Sequence, residues 1–248
     1  MRTAKTFVMV ASLLVLSLSF VMPASAKTRA RKQRSLTRAE LKQAEERLKE
    51  MGYRPGRVDG VIDGDTRRAL IVFQKWEGRK LSGALSRNEF DAIMNATAPE
   101  ARDSGYRHVE VDLDRQVLVL TDDDGAITKI LPVSTGSNKR YNEKGMRGLA
   151  YTPTGRFRIY AKISGWRKSP LGLLYYPNYF SDGLAIHGNP EVPHTPQSHG
   201  CVRIPMWAAV EMSKALPVGT ILIIYDSRSF VSAKDWAEAD RNGPIVIR

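Results

Sequence analysis

Apolar residues first settle into a helical rhythm after Ser35, where Leu36, Leu41, Ala44 and Leu48 recur on one face with Glu and Lys between them. Gly52 suits the stop of that helix. Tyr53 to Gly60 is turn chemistry, and the Asp65–Thr66 pair is placed to cap a second helix carrying Ala69, Leu70, Val72, Phe73 and Trp76. The pattern predicts a third helix from Ser86 to Met94. Three short helices on one small core make a unit near the lower size limit for independent folding.

The rhythm then changes. Ala96 to Tyr106 is small and polar, broken by Pro99 and Gly105, and reads as a linker. Beyond it Val109, Val111 and Leu113, then Val117 and Val119, recur with period two, with Asp112, Asp114 and Arg115 between them. Asp122 to Gly125 forms a turn, and Ile127 to Val133 reads as a partner strand. Further strands are expected at Gly155 to Ile163, Gly183 to His187 and Thr220 to Tyr225, with one clear helix at Met206 to Leu216. The expected architecture is α+β and multidomain. A three-helix N-terminal domain over residues 35–95 and a linker over 96–106 precede a mainly β domain over 107–226 with a single helix, and 227–248 form a C-terminal extension.

The first 34 residues follow neither rhythm. Arg2 and Lys5 precede an apolar run from Phe7 to Val21, and Ala24-Ser25-Ala26 supplies the small residues of a cleavage site, so residues 1–26 read as a secretory signal peptide. The run is shorter than the roughly 18–20 residues that span a bilayer, and no later segment is long and apolar enough. Residues 27–34 are basic and aperiodic, a flexible lead-in. The chain is therefore expected to be exported to the periplasm or cell wall, with no integral membrane segment after cleavage.

Charge alters the picture less than its size suggests. The formal net charge is +12, but residues 1–34 carry seven Lys or Arg and no acid, so that 31 basic residues face 26 acidic ones in the remainder. A mild excess on an exported protein does not point to nucleic acid.

Cysteine usage alters it more. The single cysteine, Cys201, cannot form an internal disulfide. It stands in Ser198-His199-Gly200-Cys201-Val202-Arg203, which follows Ala185-Ile186-His187-Gly188 across a loop containing Pro190, Pro193 and Pro196. A thiol attacks a carbonyl as its thiolate, so a nucleophilic cysteine needs a proton acceptor and a positive field. His187 and His199 are the candidate acceptors, and Arg203 supplies charge. Backbone N–H groups around His199, Gly200 and Cys201 are candidates to face a developing oxyanion.

These residues resemble the catalytic domain of the L,D-transpeptidases (YkuD type), in which His-Gly is followed by Ser-His-Gly-Cys and a nearby Arg or Asn. The resemblance implies Cys201 as nucleophile, His187 as general base and Gly188 as the carbonyl that orients its imidazole. It also implies that Ser198, His199 and Gly200 shape the oxyanion site, and that Arg203 positions substrate. Tyr151 to Phe157 is similar to the family's Thr-Pro-x-Gly-x-Phe strand entry, and the likeness covers most of residues 107–226. Val58 to Gln74 resembles the three-helix peptidoglycan-binding domain, with Gly64-Asp65 before the threonine where that family has Gly-Pro or Gly-Ala. The partners implied are peptidoglycan stem peptides and glycan, with carbapenem-type inhibitors acylating the same thiol and no cofactor required.

Other readings stay open on the residues alone. His187, His194, His199 and Cys201 are ligand types within fifteen residues, but they form no His-x-x-x-His pair and only Glu191 is an acid near them, so no metal is expected. A non-catalytic wall-binding protein and an L,D-carboxypeptidase that passes the acyl group to water are the remaining alternatives. Trp166, Tyr175, Tyr176 and Tyr179 fit either a lid over the site or an aromatic core. His194 is expected at the surface or on the substrate side.

Overall fold

Thr37 caps the first helix, α1 (Arg38–Glu50), through a reciprocal pair in which Glu40 N–H donates to Thr37 Oγ1 and Thr37 N–H donates to the Glu40 carboxylate. This computed structural model describes residues 34–229, so the signal peptide, nearly all of the basic lead-in and most of the C-terminal extension lie outside the described residues. Helix α2 (Gly64–Trp76) is capped by Asp63, whose carboxylate accepts from Asp65 N–H and Thr66 N–H. The expected Asp65–Thr66 cap is thus two residues late, because those two residues donate the orphan N–H groups that the cap satisfies. Helix α3 (Arg87–Asn95) begins after Ser86. Buried Glu45 on α1 accepts from Asp59 N–H, Gly60 N–H and Thr66 Oγ1, which ties the turn between α1 and α2 to both helices.

The β region contains two larger sheets and a ribbon. In chain order its strands are β1 (His108–Asp112), β2 (Val117–Thr121), β3 (Ile127–Pro132), β4 (Arg140–Glu143), β5 (Met146–Leu149), β6 (Gly155–Arg158), β7 (Ala161–Lys162), β8 (Trp166–Ser169), β9 (Gly172–Ser181), β10 (Leu184–Asn189), β11 (Val202–Pro205) and β12 (Ile221–Tyr225). One sheet runs β3-β2-β1-β12-β6, with β1 and β12 parallel. The other runs β11-β10-β9-β7 with β8 paired to β9, and β10 and β11 are parallel. Strands β4 and β5 form a separate two-stranded ribbon. Helix α4 (Met206–Ala215) follows β11 directly.

One core lies between the two sheets and α4. It joins Val111, Leu118 and Leu222 of the first sheet to Ile186, Val202 and Ile204 of the second and to Ala208 and Met212 of the helix. A second core joins Ala44, Leu48, Leu70, Phe73 and Ile93 of α1 to α3 with Val117, Val119 and Ile130 on the far face of β2 and β3. Strand β2 is not the half-solvated strand of an ordinary hairpin. Both faces are buried, because the helices cover the outer one, and this explains the unbroken run Val117-Leu118-Val119-Leu120. Ile130 N–H also donates to Gly52 O, so the turn after α1 hydrogen-bonds to edge strand β3.

Three expectations for the β region need correction. The single strand predicted over Gly155 to Ile163 is two, β6 in the first sheet and β7 in the second, since the chain changes sheets at Ile159 and Tyr160. Strand β11, between Cys201 and the helix, is absent from the strands expected from the pattern. The β4–β5 ribbon has no counterpart in the sequence pattern, since Arg140, Asn142, Glu143, Arg147 and Leu149 are mostly exposed on both faces and show no alternation. Among the described residues no helix is long and apolar enough to cross a membrane.

Candidate active site

Parallel pairing of β10 with β11 sets His187 opposite Arg203 and Ile186 opposite Val202. Cys201 is thereby held at the entry of β11, beside the histidine strand. Gly188 permits this packing: a Cβ there would lie 2.7 Å from the Ala209 Cβ and 3.1 Å from the Tyr175 ring, so a side chain would push α4 off the strand.

His187 is buried, and its Nδ1 lies 2.9 Å from Gly188 O. A carbonyl only accepts, so Nδ1 carries the hydrogen and Nε2 is left as a base. Burial lowers the imidazole from its usual 6.5 to about 4; the Gly188 carbonyl opposes this, and the Arg203 charge adds to it. The Cys201 thiol is pushed above its usual value by burial, while a hydrogen bond from Ala185 N–H and the Arg203 charge pull partly the other way. The resting pair is therefore a neutral imidazole and a protonated thiol.

The loop before Cys201 is braced from two sides. Ser198, almost fully buried, donates through Oγ to Cys201 O at 2.6 Å and accepts from Gly200 N–H at 3.0 Å. Its main chain is held by Thr135 and Ser137: Ser198 N–H donates to Thr135 O, and Ser137 N–H donates to Ser198 O. On the other side Thr152 Oγ1 donates to Gly200 O at 2.7 Å and accepts from Gly136 N–H at 2.8 Å. Gly200 has φ +135°, and a Cβ there would stand 2.6 Å from Tyr151 O. Only glycine takes that conformation without strain.

A cleft of about 670 Å³ opens over these groups and is lined by His187, Ser198, His199, Cys201 and Arg203. Its walls include Tyr141 and Met146 of the ribbon, Arg167 and Lys168 of β8, and Tyr179 of β9. His199 lies under the ribbon, with Nε2 3.4 Å from Glu143 Oε2 and its ring edge-on to Tyr141 at 4.8 Å. Seven residues singled out from the sequence therefore gather here. Gly188 and Gly200 serve through backbone, and Arg203 is fixed by main-chain bonds to Ser134 in both directions.

Sequence reasoning missed Thr135, Thr152, Tyr141 and Glu143. Thr152 lies inside the Tyr151 to Phe157 segment and is legible there; the others carry no local signal. The four aromatic residues divide: Tyr175 and Tyr176 pack on the core, Tyr179 lines the cleft, and Trp166 is exposed against Tyr175 at 4.8 Å. His194 lines two other grooves, one near Lys75 and one near Trp207, away from the cleft. Among the described residues no three His, Cys, Asp or Glu side chains gather to hold a metal ion.

Comparison with known proteins identifies the family of both regions. Residues 106–224 match the family model of the L,D-transpeptidase catalytic domain (YkuD), and residues 37–93 match a peptidoglycan binding domain. The solved structure of an L,D-transpeptidase from Xylanimonas cellulosilytica is 34% identical, with a TM-score of 0.70, over 78% of this chain and 96% of that one. An L,D-transpeptidase from Stackebrandtia nassauensis is 23% identical, with a TM-score of 0.45, over 75% of this chain and 90% of that one. Comparison with curated proteins gives no match. A mainly β fold around a thiol–imidazole cleft, behind a helical peptidoglycan-binding region, defines the class, and the chain belongs to the L,D-transpeptidase family.

Proposed function

We propose that the protein is an exported cell-wall L,D-transpeptidase that forms a thioester between Cys201 and a peptidoglycan tetrapeptide stem and passes the acyl group to an amine. The observation that carries this reading is that the sole thiol and an imidazole whose Nδ1–H is fixed on Gly188 O line one cleft. Basic Arg167, Lys168 and Arg203 on the walls suit the carboxylates of a stem peptide.

The thiol proton moves to His187 Nε2 as sulfur bonds to the carbonyl carbon between the L-centre of a diamino acid and the terminal D-residue. Because the imidazole rests near 4 and the thiol above its usual value, a free ion pair is unfavourable, and the transfer accompanies attack. Gly200 N–H is occupied by Ser198 Oγ, which leaves the His199 and Cys201 N–H groups for the oxyanion. The C–N bond then breaks, and the leaving amine takes the proton back from His187. The amine of a second stem attacks the thioester, giving a 3-3 cross-link and regenerating the thiol. No cofactor enters either step.

Intact-mass analysis with a carbapenem, beside Cys201→Ala, and product analysis on tetrapeptide muropeptides test this. One adduct on the wild type, none on the variant, and a cross-linked dimer are expected. Trimmed tripeptide alone makes the protein a carboxypeptidase; no adduct makes it a wall-binding protein.

A further inference from the structure

Helix α2 drives a charged side chain into the junction with the β region. Lys75 is only 6% exposed, and it has no carboxylate partner among the described residues. Its Nζ donates to two main-chain carbonyls, Gln116 O at 3.0 Å and Val133 O at 3.5 Å. Burial holds the ammonium at about 8, well below the usual 10.5. An uncompensated buried cation is costly and is not needed for packing alone, since a methionine would fill the same space.

The two carbonyls stand at the root of the segment that braces the cysteine loop. Gln116 has φ 54°, an unusual backbone for a non-glycine residue, and its carbonyl also accepts from Val133 N–H at 3.0 Å. The Gln116 side chain then grips Thr135 twice. Nε2 donates to Thr135 Oγ1 at 2.7 Å, and Oε1 accepts from Thr135 N–H at 2.9 Å. Thr135 O in turn accepts from Ser198 N–H at 2.9 Å, and Ser198 Oγ holds Gly200 and Cys201. Between them, Ser134 pairs with Arg203 in both directions. Every link is a hydrogen bond, those from Lys75 to Thr135 are buried, and the first is supplied by the peptidoglycan-binding region.

We propose that Lys75 is a positioning residue for the acyl transfer. By clamping Gln116 O and Val133 O it holds Gln116 and Thr135 in the arrangement that sets the oxyanion side of the Cys201 loop. The proposal rests on the reading of Cys201 as the acyl-forming nucleophile. It gives the helical region a part in the chemistry, beyond any grip on the wall.

The test uses the full mature chain with Lys75→Met, Gln116→Met and the double variant. Acylation of Cys201 by a carbapenem is followed by intact mass, and its alkylation by iodoacetamide, which generates no oxyanion, is followed in parallel. Folded Lys75→Met and Gln116→Met should each be acylated about three- to thirtyfold more slowly than wild type, with alkylation unchanged. The double variant should be no slower than the slower single one, because both cut the same relay. A wild-type acylation rate in folded Lys75→Met, or slowing in the double variant equal to the product of the singles, overturns the proposal. If Lys75→Met fails to fold, Lys75→Leu takes its place with the same two outcomes, and a wild-type acylation rate in folded Gln116→Met, which cuts the next link, refutes the relay on its own. A wild-type protein that is alkylated but never acylated refutes the underlying reading instead.

Discussion

Raising the pH should switch on Cys201 gradually, with no plateau around neutrality. The structure holds the thiol above its usual value of 9.0 and the imidazole near 4, so the two do not exchange a proton at rest. At pH 7 a thiol with such a value is less than about 1% thiolate, and that fraction grows about tenfold per pH unit. The alkylation rate by iodoacetamide should therefore rise about a hundredfold between pH 6 and pH 8. Cys201 is the sole cysteine of the chain, so the label taken up, read by intact mass, reports on this group alone. The opposite outcome is well defined. A thiolate–imidazolium pair would alkylate at a nearly constant rate from pH 5 to pH 8, and a rise of less than about threefold would show that burial does not govern this pair.

Two further outcomes follow from the same site. In the unfolded chain His187 takes its proton near 6.5 and in the folded chain only near 4, so the unfolded state binds more protons between those values. The stabilisation from the neutral imidazole is complete above 6.5, is lost as the pH falls toward 4, and totals about 3 kcal/mol. Urea unfolding at pH 7.5 and pH 4 should show that extra acid sensitivity in wild type relative to His187→Gln; equal pH dependence in the two proteins would contradict it. Gly200→Ala should cost about 1–3 kcal/mol of stability from its left-handed backbone. It should also slow acylation about a hundredfold by displacing the loop from Tyr151 O. Wild-type melting and acylation in that variant would mean that the loop does not need this backbone.

Much of this molecule is legible in its amino-acid sequence, for identifiable reasons. Helices α1 to α4 announce themselves through periodicity and through caps such as Ser86, and β2 and β12 through apolar runs. The cleft residues sit in two short segments, His187-Gly188 and Ser198 to Arg203, which the motif marks, but strand β11 and its parallel pairing with β10 do not show in the sequence. What stays hidden depends on partners distant in sequence. Val117 and Val119 look like one face of an ordinary hairpin until α1 to α3 are known to cover them. Thr135 has no distinguishing neighbours, and its place is defined only by Gln116 and Ser198. The ribbon of β4 and β5 is polar on both faces, so no pattern marks it, although it supplies Tyr141 and Glu143 to His199.

The parallel pairing of β1 with β12 also governs the order in which this chain can become a protein. Strand β12 sits inside its sheet, between His108–Asp112 and Gly155–Arg158, yet among the described strands it is made last. Until Ile221 to Tyr225 leave the ribosome, β1 and β6 have no neighbour on their inner edges, and the core of Val111, Ile186 and Leu222 cannot close. Contacts that span so much sequence form slowly, because the loop entropy is lost before they contribute. A chain exported as proposed gains from that delay: it stays extended enough to be threaded across a membrane, and its thiol acquires its burial and its imidazole partner only when folding is complete.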